Sequence, residues 1–356
     1  MPADPLDEFV RLAEAFGTVA VVALAVGGGL WPLARVTRQA WAVVPQKGPE
    51  RRTGFEVAAL FLLNVVFVSV MLAVLQKGGF FREVYGPAFP DPLPSSEALG
   101  MVGGSAAAAS TVESAAPFQT VRTVWASLFA VPLLYAAAVG LTLATGRRPR
   151  FEFADWYARV WVGIAAWAVM TPVVFGVYAV ADRLTTGLGG EADRHPMTKL
   201  GVGDSPFDRV VFALAVCVAA PLTEELLFRG ILVRWTAGRA FRGWVVVVVA
   251  GMLAAAGSGS VRSAAVAFTA SLGVGLLLIR KFGGRAFSLR GAGIWASAAL
   301  FAAAHSAVWP TPVPLFVLGL GLGWLCLRTR GILACVVAHG LFNAVSFVYL
   351  LRGGTG

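Results

Sequence analysis

Two adjacent carboxylates, Glu224 and Glu225, stand inside an otherwise apolar run, VVFALAVCVAAPLTEELLFRGILVRW. From Arg209 to Gly356 they are the only acidic residues, against 13 basic ones. An ionised carboxylate at mid-membrane costs about 2.5–3.5 kcal/mol on the mildest scale, so partners must offset it. Glu225 and Arg229 are four apart on a helix and share a face, which lets them pair. Glu224 has Phe228 at i+4 and Ala220 at i−4, so its partner must come from a distant part of the chain. Pro221 removes one helix hydrogen bond and frees the Cys217 carbonyl. That predicts a broken helix lining a cavity.

The remaining strongly polar groups of these apolar runs are His305 in LFAAAHSA, with His339 and Asn343 in VVAHGLFNAV. Phe301 and His305 are four apart, as are His339 and Asn343, so each pair lies on one helix face. Either histidine alone reads equally well as a core residue bonded to a backbone carbonyl. Polar groups in lipid seek one another, and one shared site is the simplest arrangement of the set. Two imidazoles, a carboxylate and an amide suit hydrolysis of an acyl bond. A carboxylate with an imidazole positions and deprotonates a water, while an imidazole and an amide stabilise the oxyanion. Zinc is the alternative: Glu224, His305 and His339 form a two-His, one-Glu ligand set with room for a water. No HExxH is present.

The elements that must position these groups are membrane spans. The chain has 356 residues, 58% hydrophobic and 13% charged, with mean hydropathy +0.75. A soluble domain holds about 45–50% apolar and about 25% charged residues. Runs near 20 residues long point to an all-α, polytopic transmembrane bundle of eight to ten spans. Ten candidates run over 16–34, 55–76, 121–144, 158–181, 209–235, 244–257, 263–280, 293–307, 313–327 and 331–351. Arg and Lys gather in alternate short loops, which places both termini outside, in a plasma or inner membrane. The same pattern accounts for the net charge of +10 without nucleic acid. Cys217, Cys326 and Cys335 sit in apolar runs as small core residues. The acidic N-terminal stretch lacks the basic start of a cleaved signal, so the first span is expected to be retained.

Two parts follow. Residues 1–208 are N-terminal helices with two long outer loops, of which 77–119 is Pro-, Ser-, Ala- and Gly-rich and expected to be flexible. Residues 209–351 are the core that carries the polar set, with an inserted helical pair at 240–285. Gly319 and Gly323 suit close helix packing. His305 lies about 22 Å from Arg290 at 1.5 Å per residue. That is too deep for a straight span, so the uncharged turn at 306–312 is expected to dip into the protein.

Glu224-Glu225-x-x-x-Arg229, Phe301-x-x-x-His305 and His339-x-x-x-Asn343, in that order, resemble the CPBP family of intramembrane proteases. That family includes CAAX prenyl proteases and the bacteriocin-processing and immunity (Abi) proteins. The flanking FRG and RTRG are similar too, and the resemblance covers about residues 210–347. It implies Glu224 as general base, His305 as helper in activating water, and His339 and Asn343 as the oxyanion hole. Glu225 and Arg229 would brace the site, with Phe301 beside His305. The implied activity is an intramembrane endopeptidase acting on a membrane-bound, prenylated or leader-type peptide, with a metal-free mechanism favoured over zinc. A connection of about 70 residues between Arg229 and Phe301 departs from the family's short one. Two readings compete with the peptidase: an immunity or binding protein with little turnover, and a proton-coupled transporter using Glu and His as a relay.

Overall fold

The computed structural model describes residues 5–30, 53–87, 89, 106–146, 155–187, 205–236, 246–252, 289–306 and 308–352. Among them every regular element is a helix. Nine are named here: α1 (Pro5–Gly29), α2 (Gly54–Lys77), α3 (Phe80–Tyr85), α4 (Ala106–Ala144), α5 (Trp156–Gly187), α6 (Pro206–Thr236), α7 (Leu289–Ala303), α8 (Pro312–Thr329) and α9 (Leu333–Leu351). A short helical stretch also covers residues 246–252. In α1, α2, α4, α5, α6, α8 and α9 the apolar run is long enough to cross a membrane. α2 has mean hydropathy 2.7 and is only 11% buried within the protein. A helix apolar all round with so little protein cover is built for lipid.

Most expected spans recur with shifted ends. α4 starts at Ala106, well inside the segment expected to be flexible, and α3 occupies another part of it. The Ala-rich sequence AAAAS explains the early start, because alanine carries the highest helix propensity. The span expected at 263–280 and nearly all of the 240–285 insertion lie outside the described residues, as does 188–204 of the second outer loop. α7 has 15 residues, about 22 Å of helix, so it falls short of a 30 Å hydrocarbon core. It stops at Ala303, and His305 sits in the turn beyond it rather than in a span. Pro221 does not break α6. The helix instead widens into π-helical turns at Ala215–Ala219 and Glu225–Val233, on either side of the proline. Longer-range hydrogen bonds of this kind absorb a missing N–H without opening the helix.

The chain divides into two compact units. Residues 58–148 and 195–220 form one of them. Here Phe80 stands edge-on to Trp125, with ring centroids 5.0 Å apart, and Trp125 Nε1 donates to the Tyr85 hydroxyl at 3.0 Å. Burial, with a smaller contribution from Asp208, pushes the Tyr85 phenol up to about 12 despite the Trp125 hydrogen bond. Ser205 caps α6 by accepting from the Asp208 N–H, and Pro206 fills the first helical position.

Residues 1–57, 149–194 and 221–356 form the other unit, which holds every residue of the expected site. Its core joins α1, α5, α8 and α9 through residues such as Val19, Trp167, Leu322 and Val345. Phe16 stacks on Trp167 at 4.7 Å and Phe175 on Phe342 at 5.4 Å. Gly163 lets α5 meet α9. A Cβ there would stand 2.7 Å from the Ala334 carbonyl and 2.8 Å from Val337 Cβ. Neither group can swing away, so Gly163→Ala must part the two helices. Its expected cost is about 1–3 kcal/mol, read as a lower Tm in detergent by tryptophan fluorescence. Gly28→Ala, whose Cβ would meet nothing within 4 Å, should leave Tm unchanged or slightly raised. Gly319 and Gly323 bring α8 against α7 as expected: their added Cβ atoms would lie 3.0 Å from Ala298 and 3.0 Å from Ile294. At the far end of α8 the chain reverses through Arg330, whose φ is 57°, and Arg234 Nη2 donates to the Arg330 carbonyl at 3.1 Å.

Candidate active site

Glu225 and Arg229 are fully buried, and Nη1 of Arg229 donates to Oε1 of Glu225 at 2.9 Å. The i,i+4 pairing expected from sequence is therefore present, and it lies in the π-helical part of α6. Two further features hold the guanidinium. The Arg229 Cζ sits 4.5 Å from the centroid of the Phe301 ring, within cation–π range. Its Nη2 lies 3.5 Å from the Cβ that Gly319 lacks.

Glu225 has a second partner across 114 residues: the same Oε1 faces Nδ1 of His339 at 2.9 Å. An ionised carboxylate only accepts, so the hydrogen lies on Nδ1. This settles the ring's orientation and aims Nε2 of His339 at Glu224, 3.6 Å from its Oε2. The distant partner required by Glu224 is thus His339. The ring is 3% exposed, whereas the Glu224 side chain is 24% exposed and reachable. A gap of this size is too short for a water between the two atoms, but a water lying beside the pair can reach both at about 2.8 Å.

Phe301, 1% exposed, is the hub of the cluster. Its ring lies 5.7 Å from that of His339, edge-on, and 5.0 Å from that of His305. Phe228 meets it edge-on at 5.4 Å. His305 keeps the i,i+4 relation to Phe301 although it has left the helix, because the last turn tightens: its N–H bonds the Ala302 carbonyl at 3.0 Å. Its Nδ1 donates to the Phe301 carbonyl at 2.9 Å. The bland reading of this histidine is therefore true of one nitrogen. With Nδ1–H committed, Nε2 carries the lone pair. The turn after it is anchored by Trp309, whose Nε1 donates to Thr185 Oγ1 at 2.8 Å. Asn343 is half-buried one turn beyond His339, on the same face of α9.

The structure thus gathers Glu224, Glu225, Arg229, Phe301, His305 and His339 through direct contacts, with Asn343 next in line. Two side chains that sequence reasoning did not assign here also reach the site helix. Ser297 of α7 donates to the Phe228 carbonyl at 3.1 Å, and Cys326 of α8 to the Arg229 carbonyl at 3.5 Å. The signal for Ser297 was a lone hydroxyl in the apolar run WASAALFAAA. Cys326 gave none beyond its small size. Among the described residues, no three His, Cys, Asp or Glu side chains converge in a way that could hold a metal ion. Glu224 and His339 are together, and His305 joins the cluster through the Phe301 ring.

Residues 206–289 and 276–345 match the family model described as type II CAAX prenyl endopeptidase Rce1-like. The two segments cover the same part of the chain as the motifs, and they bear out the resemblance read from them. Comparison with curated proteins and with solved structures gave no match.

Proposed function

We propose intramembrane endopeptidase chemistry in which Glu224 activates the water, for an integral membrane protein whose residues 206–289 and 276–345 match the type II CAAX prenyl endopeptidase Rce1-like family model. The observation that carries it is the Glu225–His339–Glu224 line, with one carboxylate on Nδ1 and the other facing Nε2. The substrate is a membrane-associated peptide, prenylated or of leader type, presented from the bilayer. Glu224, partly exposed, takes a proton from the water as the water's oxygen bonds to the scissile carbonyl carbon. The Nε2 lone pair of His305 accepts the water's other hydrogen and orients it. The carbonyl electron pair moves onto its oxygen, which receives hydrogen bonds from the Nε2–H of His339 and the amide of Asn343. In this scheme His339 carries both hydrogens before and during the step, its Nε2–H facing Glu224 until the oxyanion forms. With Glu224 now protonated, Glu225, Arg229 and His339 sum to +1 and the oxyanion supplies −1, so the site as a whole is neutral, which lowers the penalty of charge in lipid. Collapse breaks the C–N bond, and the proton held by Glu224 passes to the leaving amine.

This reaction is metal-free in the proposal. What supports this is that Nδ1 of His339 is held by the Glu225 carboxylate and Nδ1 of His305 by the Phe301 carbonyl, so each ring has one nitrogen committed within the protein. The test uses purified protein in proteoliposomes with a farnesylated C-terminal peptide and an unlipidated copy. Cleavage in 18O water should place one labelled oxygen in the new carboxylate, and the rate should survive a strong chelator. If chelation stops cleavage and zinc restores it, the metal-free mechanism fails. If neither peptide nor a leader-type membrane peptide is cut, the peptidase reading fails.

A further inference from the structure

The π-helical stretch Glu225–Val233 carries both members of the buried ion pair. A π-turn bonds five residues back rather than four, and such turns are mostly short and found at functional sites. Reverting to the α pattern would advance the register by one residue and swing the following side chains by about 100° around the axis. Arg229 would then leave Phe301 and Gly319, and Glu225 could no longer meet both Arg229 and His339.

Two buried groups reach consecutive carbonyls inside this stretch. The Ser297 hydroxyl takes Phe228, the Cys326 thiol takes Arg229, and each residue is 1% exposed. They come from α7 and α8, so the stretch is gripped from two elements. A helical serine ordinarily bonds back to its own helix. Ser297 bonds across instead, over 69 residues. Neither group touches the reacting atoms of the proposed chemistry. We propose that Ser297 and Cys326 are positioning residues that hold Glu225–Val233 in its π register and so keep Glu225 on Nδ1 of His339.

The activity part of this inference rests on the peptidase reading; the register part does not. The experiment compares Ser297→Ala, Cys326→Ala and Cys326→Ser, each alone, and the two Cys326 changes on the Ser297→Ala background. Amide hydrogen exchange of residues 225–233 and of α9 is followed in detergent, beside kcat, KM and the pH profile of kcat. Losing one buried hydrogen bond should speed exchange in 225–233 about tenfold, with α9 unaffected. Cleavage should show kcat down about tenfold with KM within twofold, and a displaced pH profile because Glu225 no longer holds His339. Cys326→Ser keeps a donor and should return exchange and pH profile toward wild type. Unchanged exchange in Ser297→Ala, or Cys326→Ser behaving as Cys326→Ala, overturns the inference. If the wild type cuts no peptide while exchange responds as stated, the peptidase reading falls and the register assignment stands.

Discussion

Glu224→Gln should leave the protein folded and end peptide cleavage, with kcat lower by about 10³-fold or more. The side chain is 24% exposed, and its recorded polar neighbour is His339 Nε2 at 3.6 Å, beyond hydrogen-bond length. An amide of the same shape therefore loses little packing and no close hydrogen bond, so Tm should move by less than about 1 °C. What it loses is the ability to accept the water's proton. General-base catalysis alone is worth about 10²–10⁴-fold, and the charge balance around His339 is disturbed as well. KM should stay within about threefold, since the carboxylate is not asked to bind substrate more tightly before reaction than during it. Single-turnover cleavage in proteoliposomes reads the chemical step directly. A Gln variant that keeps wild-type kcat would remove Glu224 from the mechanism.

Arg229→Ala should act in the opposite way, through stability first. Glu225 is 0% exposed, and the Arg229 guanidinium, 2.9 Å from its Oε1, is the permanent counter-charge paired with it. Removing one member of a buried ion pair strands the other, at about 3–5 kcal/mol. The Phe301 face and the gap made by Gly319 lose their packing partner too. The expected result is a Tm lowered by about 10 °C in detergent, with poor yield. Glu225→Gln with Arg229→Met removes both charges and fills similar volume, so it should regain most of that loss, as neutral replacements of buried pairs often do. It should nevertheless lose most of its activity, because a neutral amide oxygen holds Nδ1–H of His339 more weakly than the carboxylate and no longer offsets charge on the ring. Recovery of activity in the double variant would mean that the pair is structural only.

Several features were readable because they are local. The i,i+4 spacing of Glu225 and Arg229 already implies a pair, and it is found at 2.9 Å. The depth argument for His305 anticipated that its helix would not cross, and α7 stops at Ala303. Gly319 and Gly323 were legible because close helix approach needs small residues. Gly163 was not legible: nothing in its neighbourhood distinguishes it from glycines that face open space, and only the approach of α9 makes it necessary. The π turns escaped for a related reason. A proline in a helix predicts a missing hydrogen bond, but whether the helix breaks or widens depends on what packs around it.

Composition and spacing by themselves determined that this chain is a membrane-spanning helical protein with one set of polar residues able to share a site. Hydropathy and helical periodicity are properties of neighbouring residues, and they survive without tertiary contacts. The tertiary structure decided the pairing: Glu225, not Glu224, holds Nδ1 of His339, and Nε2 is thereby turned to Glu224. That choice joins residues 114 positions apart, and it depends on which carboxylate the widened turn of α6 points inward. Two adjacent glutamates are alike in sequence. They differ only once packing buries one beside an arginine and leaves the other where water can reach it.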